Sequence, residues 1–387
     1  MPGIFAVCEM SSNPVQHRVN ILGLMTGSSA DGLDLCLVSF SGSGRTPAYE
    51  VVSSHEIPYP QYFQDSFSNP LELNDGDIAQ LDVELGAWFA SEIAQLKFDF
   101  DFIASHGQTI KHEPPHFTLQ IGNPATMADK FNCPVIYDFR TADVEVGGQG
   151  APLIPIVDQY LLQREHSDVL ALNIGGIANI TMVPGLHNSA PLVAWDTGPG
   201  NTLIDKAVRL FSHDKLSYDE GGNLAAQGKL NPKLLGEVLE HEFYQRTPPR
   251  SAGQEQFGKT YFQHILKQFY PANDQEFKDL IYTLTVLTAK TITESINSLS
   301  LKYSPASMFV GGGGAFNKTL MNLLKAELPS IDISDMNMKG VNQSNKEAFG
   351  FAYLGYLFIN DFTANLPGVT GARKAVTLGK LCKPKSS

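Results

Sequence analysis

The sequence predicts an α/β protein made of two related domains, and three observations predict it. Segments with strand periodicity alternate with segments of helical periodicity along most of the chain. The pattern strand, glycine turn, strand occurs near the start, in NILGLMTGSSADGLDLCLVSF, and returns in DVLALNIGGIANITMVPG, which points to an internal duplication. With 387 residues, 43% of them hydrophobic, the chain is long enough for two cores.

The elements follow in order. From Asn20 the chain reads as strand, Gly/Ser/Asp turn and strand, then a third strand in AYEVVSSHEI. Apolar residues at helical spacing over Ile78 to Leu96 predict a helix, and FDFIAS returns to a short strand ending in the polar SHGQT. GGQGAPLIPIVDQYLL combines glycines and prolines ahead of a helical run and marks a domain junction. The expected division is residues 1–146 with 361–387 as one domain and 147–360 as the other.

In the second half, the repeated hairpin is followed by the strand PLVAW, which ends at Asp196 in the turn TGPGN. Residues 218–258 are rich in Gly, Pro and charge, with one short helix, and read as a mobile insertion suited to be a substrate lid. KDLIYTLTVLTAKTITESINSL predicts a long amphipathic helix, SMFVGGGGAFNKTLMNLLKAEL a strand, glycine turn and helix, and KEAFGFAYLGYLFIND a last apolar helix. Ser344 and Glu347 have the spacing of a capping box opening that helix.

Composition narrows the partners. A formal charge of −12 repels nucleic acid and anionic membrane surfaces and favours a small-molecule partner. Cys8, Cys36, Cys133 and Cys382 are scattered, so neither a zinc ribbon nor a disulfide framework is expected, and a reducing cytoplasm fits. The leader MPGIFAVCEMSSNP lacks the basic start and long apolar core of a secretory signal, and no run approaches a membrane span.

The chemistry concentrates at glycine turns. Backbone N–H groups converging on such a turn form a concave anion site, and a missing Cβ lets phosphate oxygens approach. Taken alone, TGSSADG reads as a hairpin; it is no Walker sequence, since no Gly-Lys-Ser/Thr follows. Two further clusters, NIGGIAN and GGGGAF, suggest one ligand gripped from both domains, against three independent turns. Asp196 stands at a strand end, where α/β sites lie, or else is a turn residue. His106 ends another strand, His112 and His116 sit in a Pro-rich loop without metal-ligand spacing, and Arg140 is open to pairing with Asp138 or Asp143 or to clamping an anionic substrate group.

The ordered blocks GLMTGSSADGLD, SHGQT, QIGNPA, DFRTADV with GGQGAPLIP, NIGGIANIT, WDTGPGN, GGGGAFN and KEAFGFA resemble the anhydro-N-acetylmuramic acid kinase family over nearly the whole chain. The resemblance implies the fold shared by sugar kinases, actin and heat-shock ATPases, two α/β domains around a central nucleotide cleft. It implies a cytoplasmic enzyme of peptidoglycan recycling that opens 1,6-anhydro-N-acetylmuramic acid with water while phosphorylating its 6-oxygen from ATP. By motif matching, Asp196 is the base. Gly27, Ser28, Ser29, Ala30, Asp31, Gly32, Leu33 and Asp34 form the first phosphate stretch, Gly175 and Gly176 the second, and Gly311, Gly312, Gly313 and Gly314 the nucleoside-side loop. Arg140 and Glu347 match sugar contacts, and His106 is added beside them. Mg²⁺ prefers few carboxylates plus water and phosphate, which makes Asp31 a candidate outer ligand. A homodimer is also implied.

This chain departs from the family in having MTGSSADG where MSGTSLDG is usual, and Thr141 where a second Arg is common. The missing charge at Thr141 bears on how the sugar's lactyl carboxylate is held. Three rivals remain at this level: a kinase of another amino sugar without ring opening, an ATP-independent serine hydrolase using Ser29, His106 and Asp196, and a non-catalytic nucleotide-switched module.

Overall fold

The computed structural model describes residues 18–27, 31–68, 70–299 and 301–385. The leader therefore lies outside the described residues, as do Ser28, Ser29 and Ala30 of the first glycine turn.

The strands Arg18–Met25 (β1), Gly32–Ser41 (β2) and Ala48–Pro58 (β3) form an antiparallel meander. Phe102–Ser105 (β4) then adds parallel to β1, Gln108–Glu113 (β5) and Phe117–Ile121 (β6) fold as a separate hairpin, and Val135–Tyr137 (β7) adds parallel to β4. The second sheet repeats this plan. Asp168–Ile174 (β8), Ile177–Val183 (β9) and Val193–Pro199 (β10) are antiparallel, Pro305–Gly311 (β11) runs parallel to β8, and Asp332–Asp335 (β12) runs parallel to β11.

Counting each sheet's strands in chain order, both read third, second, first, fourth, fifth; the terminal strand Lys380–Cys382 extends the first sheet beyond β7. Identical order and directions in two halves is the duplication that the repeated glycine hairpin foreshadowed.

Strand alternation sends each sheet's residues to two faces. Leu22, Leu24, Leu35 and Ile103 pack under the helix Asp75–Leu96, through its Leu81, Leu85 and Phe89. That helix starts one turn before the expected Ile78, because Asn74 caps it by accepting from the N–H groups of Gly76 and Asp77. The alternate residues Ile21, Cys36, Val38 and Ala104 pack against the helix Lys346–Ile359.

This last packing crosses the expected domain boundary. Residues 346–359 were assigned with the second half, yet the helix lies across the first sheet, so closely that a Cβ on Gly23 of β1 would come 2.0 Å from the carbonyl oxygen of Ala348. The same core takes in Val169 and Ala171 of β8 and the helix Pro155–Leu162, so it joins the two sheets. A buried ion pair between Lys346 and Asp158 ties the two helices together.

Two further expectations change. The helix opening at Lys346 has Asn345 at its N-cap and no side-chain cap, so the Ser344/Glu347 capping box does not form. The 218–258 segment is no loose flap: Ala225, Leu234, Val238, Phe243 and Phe257 are buried in a core with the helices Thr202–Ser212 and Asp274–Asn297. Five apolar side chains taken out of water hold it in place. No helix of the described residues is long and apolar enough to cross a membrane.

Candidate active site

The parallel strands of both sheets point their carboxyl ends at loops that hold the expected site residues. β1, β4 and β7 end at Met25, Ser105 and Tyr137, just before the first glycine turn, His106 and Arg140. β8, β10 and β11 end at the second turn, at TGPGN and at the four glycines. Sites of α/β proteins form at such edges because several loops converge there with free backbone groups.

A cleft of about 700 Å³ brings the first turn and the glycine loop face to face, lined by Asp31, Gly32, Asp34, Gly312, Gly313 and Ser344. It continues past Gly313 and Phe316 into a second hollow of about 680 Å³, where Asn201, Asp205 and Tyr218 line the wall. Phe316 and Tyr218 expose 67% and 58% of their surface, an uncovered aromatic pair beside a hollow.

The first turn is fastened at both ends. Gln108 donates from Nε2 to the carbonyl of Gly27 at 3.1 Å and accepts at Oε1 from the Tyr59 hydroxyl at 3.2 Å, while the Tyr59 N–H donates to the carbonyl of Asp31 at 2.9 Å. Gln108 and Tyr59 escaped the sequence reading, although Gln108 stands inside SHGQT. Leu33, expected in the phosphate stretch, buries its side chain fully in the core and offers the cleft only backbone.

Asp34 lies opposite Glu56 in the β2–β3 register. Burial first, and then the charges of Glu56, Glu347 and Asp31, push its carboxyl up to about 7. Like charges directly opposite in a sheet repel, so the position suits a cation or a proton. Glu347 keeps an exposed surface, yet the protein packed around its carboxyl desolvates it and raises its pKa, with Lys346 and then Arg140 opposing the rise.

The second turn and the glycine loop are built on each other. The carbonyls of Gly175 and Gly176 accept from the N–H groups of Asn201 at 2.8 Å and Gly200 at 2.9 Å, which joins the turn to TGPGN. Thr288 of the long helix donates to the carbonyl of Gly200 at 2.8 Å and fixes that turn from behind. Gly312 takes φ +80°, and a Cβ there would lie 2.6 Å from the carbonyl oxygen of Ile174.

Asp196 sits where β10 shifts register against β9 between Asp196 and Gly198. Bulges of this kind re-aim a side chain. Its Oδ2 accepts from the Ala252 N–H at 2.7 Å, and its own N–H donates to the carbonyl of Arg250 at 2.9 Å. Burial pushes its carboxyl up to about 6; the Ala252 hydrogen bond opposes this, Glu255 adds to it, and Arg250 opposes it. Arg250 clamps the strap that carries Ala252 by donating to the carbonyls of Phe243, Tyr244 and Arg246, with its guanidinium 4.6 Å over the Phe243 ring. Nothing in the local sequence marks Arg250, because its partners are scattered carbonyls.

Arg140 pairs with neither Asp138 nor Asp143. Asp138 bridges to Lys380 at 2.8 Å, and the buried Asp143 accepts from Gly150, Asn365 and Thr370. Arg140 instead donates from Nε to His106 Nε2 at 2.9 Å and from Nη1 to the carbonyl of Gly150 at 2.7 Å. Desolvation of the buried site lowers the guanidinium to about 10, against the pull of Glu347.

His106 is 4% exposed, packs on Phe351 at 4.7 Å, and has its pKa held well below the usual value by burial and by Arg140. A neutral ring accepting at Nε2 carries its proton on Nδ1. Its role is therefore to orient Arg140, and the engaged Nε2 leaves no free base for a serine hydrolase. His106→Ala is expected to raise the KM for a sugar acceptor about 10-fold, the scale of one lost charge-assisted hydrogen bond, with kcat and the KM for nucleotide little changed. An unchanged sugar KM contradicts this role.

Among the described residues, the one group of His, Cys, Asp or Glu close enough to hold a metal is Glu165, His166 and His187, an exposed cluster outside the cleft. His112 bonds Thr118 on the outer hairpin.

The family model described as anhydro-N-acetylmuramic acid kinase matches residues 19–384. A protein of that name from Caldanaerobacter subterraneus subsp. tengcongensis is 37% identical over 382 residues, covering 93% of this chain and 96% of its own. One from Cyanothece sp. is 36% identical over 381 residues, covering 94% and 99%. Among solved structures, the activator of the 2-hydroxyisocaproyl-CoA dehydratase from Clostridium difficile, with bound ADPNP, aligns with a TM-score of 0.38 at 10% identity, covering 86% of this chain and 93% of that one.

Proposed function

The chain belongs to the anhydro-N-acetylmuramic acid kinase family, and from that premise we propose that it uses ATP and water to convert 1,6-anhydro-N-acetylmuramic acid into N-acetylmuramic acid 6-phosphate. The observation that carries the reading is Asp196: a single carboxylate re-aimed by a bulge, tuned to about 6, at the edge where both glycine turns end.

Asp196 takes one proton from a water, whose oxygen bonds to C1 of the sugar as the bond from C1 to the bridging oxygen breaks. That oxygen, the sugar's 6-oxygen, forms a bond to the γ-phosphorus of ATP, and ADP leaves. In inverting glycoside hydrolysis an acid protonates the leaving oxygen; here the phosphoryl group takes the proton's place, so one carboxylate suffices. Asp196 then releases its proton to solvent.

Phosphoryl transfer relies on positioning and charge stabilisation. The stretch from Gly27 to Asp34 and the turn at Gly175 and Gly176 serve the phosphates, and Gly311 to Gly314 the nucleoside, whose base stacks on Phe316 or Tyr218. Arg140 and Glu347 contact the sugar, with His106 behind Arg140. The crowding of Asp34 by Glu56 and Asp31 fits a site at which Asp34, with Asp31 beside it, would hold Mg²⁺. When bound, such an ion would supply neutralisation of the charge on the transferring phosphate. The family resemblance supports a cytoplasmic homodimer.

The test measures ADP release by the full chain with Mg-ATP. It is expected to depend on the anhydro sugar, with no ring opening when ATP is omitted. Ring opening without ATP, or ADP release with N-acetylglucosamine but not with the anhydro sugar, replaces this reading with a rival.

A further inference from the structure

A third hollow, of about 560 Å³, lies at the ends of β4 and β7, and none of its lining belongs to the two hollows of the cleft. It is nonetheless adjacent to the site. His106 lines it and holds Arg140, and the neighbouring Gln108 holds the first phosphate turn. Its walls are mostly apolar, from Ile78, Leu119 and Ile121.

Two buried polar groups belong to its lining: the Ser105 hydroxyl makes no hydrogen bond, and His106 Nδ1 lies near the backbone of Gly107 and Thr26 without a hydrogen bond of good geometry. Both side chains are at least nine-tenths buried. Unsatisfied buried donors call for an acceptor.

The hollow also contains a cation. Lys111 lines it, placed by a register shift of β5 against β6 between Thr109 and Lys111. Among the described residues Lys111 has no carboxylate within ion-pair distance and no hydrogen bond from its ammonium. The acids nearby are otherwise engaged or peripheral. Asp138 is bridged by Lys380, Asp82 accepts from the Gly122 N–H and Asn123 Nδ2, and Asp75 sits in the exposed first turn of its helix. Arg140, the other cation at this edge, already has Glu347 acting on it.

We propose that this hollow receives the lactyl arm of the acceptor sugar, its methyl on the apolar wall and its carboxylate on Lys111 beside the Ser105 and His106 donors. The proposal rests on the functional reading above and names what holds the acid of that sugar in this chain. A short arm with one methyl and one carboxylate matches a largely apolar hollow with one unpaired ammonium.

The test is isothermal titration calorimetry on the full chain with two sugars, 1,6-anhydro-N-acetylmuramic acid and 1,6-anhydro-N-acetylglucosamine, which lacks the lactyl arm. Lys111→Met keeps the apolar stem and removes the charge. It is expected to weaken the first sugar on the order of 10- to 100-fold, the scale of a lost charged hydrogen bond, and to leave the second within about 2-fold. Lys111→Arg is expected to retain most of the affinity. Equal weakening of both sugars, or of neither, overturns the proposal. A wild-type chain that binds neither sugar overturns the functional reading along with it.

Discussion

Asp196→Asn is expected to lower kcat by about 10²- to 10⁴-fold, the range of a lost general base, while ATP and the anhydro sugar bind within a few-fold of wild type. The amide keeps the shape, and its oxygen can still accept from the Ala252 N–H. Steady-state kinetics with binding measured separately distinguishes the two effects; parallel loss of both would make Asp196 structural. The wild-type rate is expected to rise with pH through about 6, because only the ionised carboxylate can accept the proton and burial holds its pKa there.

The stability linkage has the opposite sense. An acid whose pKa is raised on folding binds its proton more tightly in the folded chain, so its contribution is most favourable below its ordinary 3.8 and declines as pH rises to about 6. At pH 8 the Asn variant is therefore expected to melt no lower than wild type, because a partly desolvated charge has been removed from the site.

Gly312→Ala is expected to destabilise the chain by about 2–5 kcal/mol, summing overpacking against backbone with the strain of a left-handed residue. The φ of +80° and the 2.6 Å approach to the Ile174 backbone carbonyl both require glycine, and of the two nearest oxygens only Asn173 Oδ1, at 2.7 Å, belongs to a side chain that can move aside. Chemical denaturation reads the loss, and nucleotide affinity is expected to fall with it, because the loop rests on the second hairpin. A stable variant with unaltered affinity would mean that the two loops separate freely. The neighbouring Gly313 has only Asn201 Nδ2 near, at 3.8 Å, and serves as the internal contrast.

Much of this architecture was legible because it is local. The alternation in NILGLM and LDLCLVSF, and the glycines between them, determine a hairpin from neighbours in sequence. Asp196 and the glycine loops were legible for the same reason, as strand ends followed by turns. The helix Lys346–Ile359 was visible as a helix, but every residue from Ala348 to Leu357 is buried, so its pattern shows no single face and could not say which sheet it covers.

The remaining gaps concern long-range polar partners. Arg140 had two acids close in sequence and took neither, because Lys380 holds one and Asn365 with Thr370 holds the other, all from the far end of the chain. Arg250, Gln108 and Tyr59 act through backbone carbonyls or one another, a relation that leaves no spacing signal. Residues 218–258 read as loose because Gly, Pro and charge dominate their composition, while the few aromatic and aliphatic side chains that anchor them are spread thinly.

The central claim is that water, activated by Asp196, opens the ring as phosphate captures the leaving oxygen. It is tested most directly by turning over 1,6-anhydro-N-acetylmuramic acid with Mg-ATP in ¹⁸O-water and locating the label by mass spectrometry and ¹³C isotope shift, read promptly enough to precede exchange of the anomeric oxygen. One ¹⁸O on the anomeric carbon and none in the phosphate is the predicted result; a phosphorylated product without label at that carbon would contradict it.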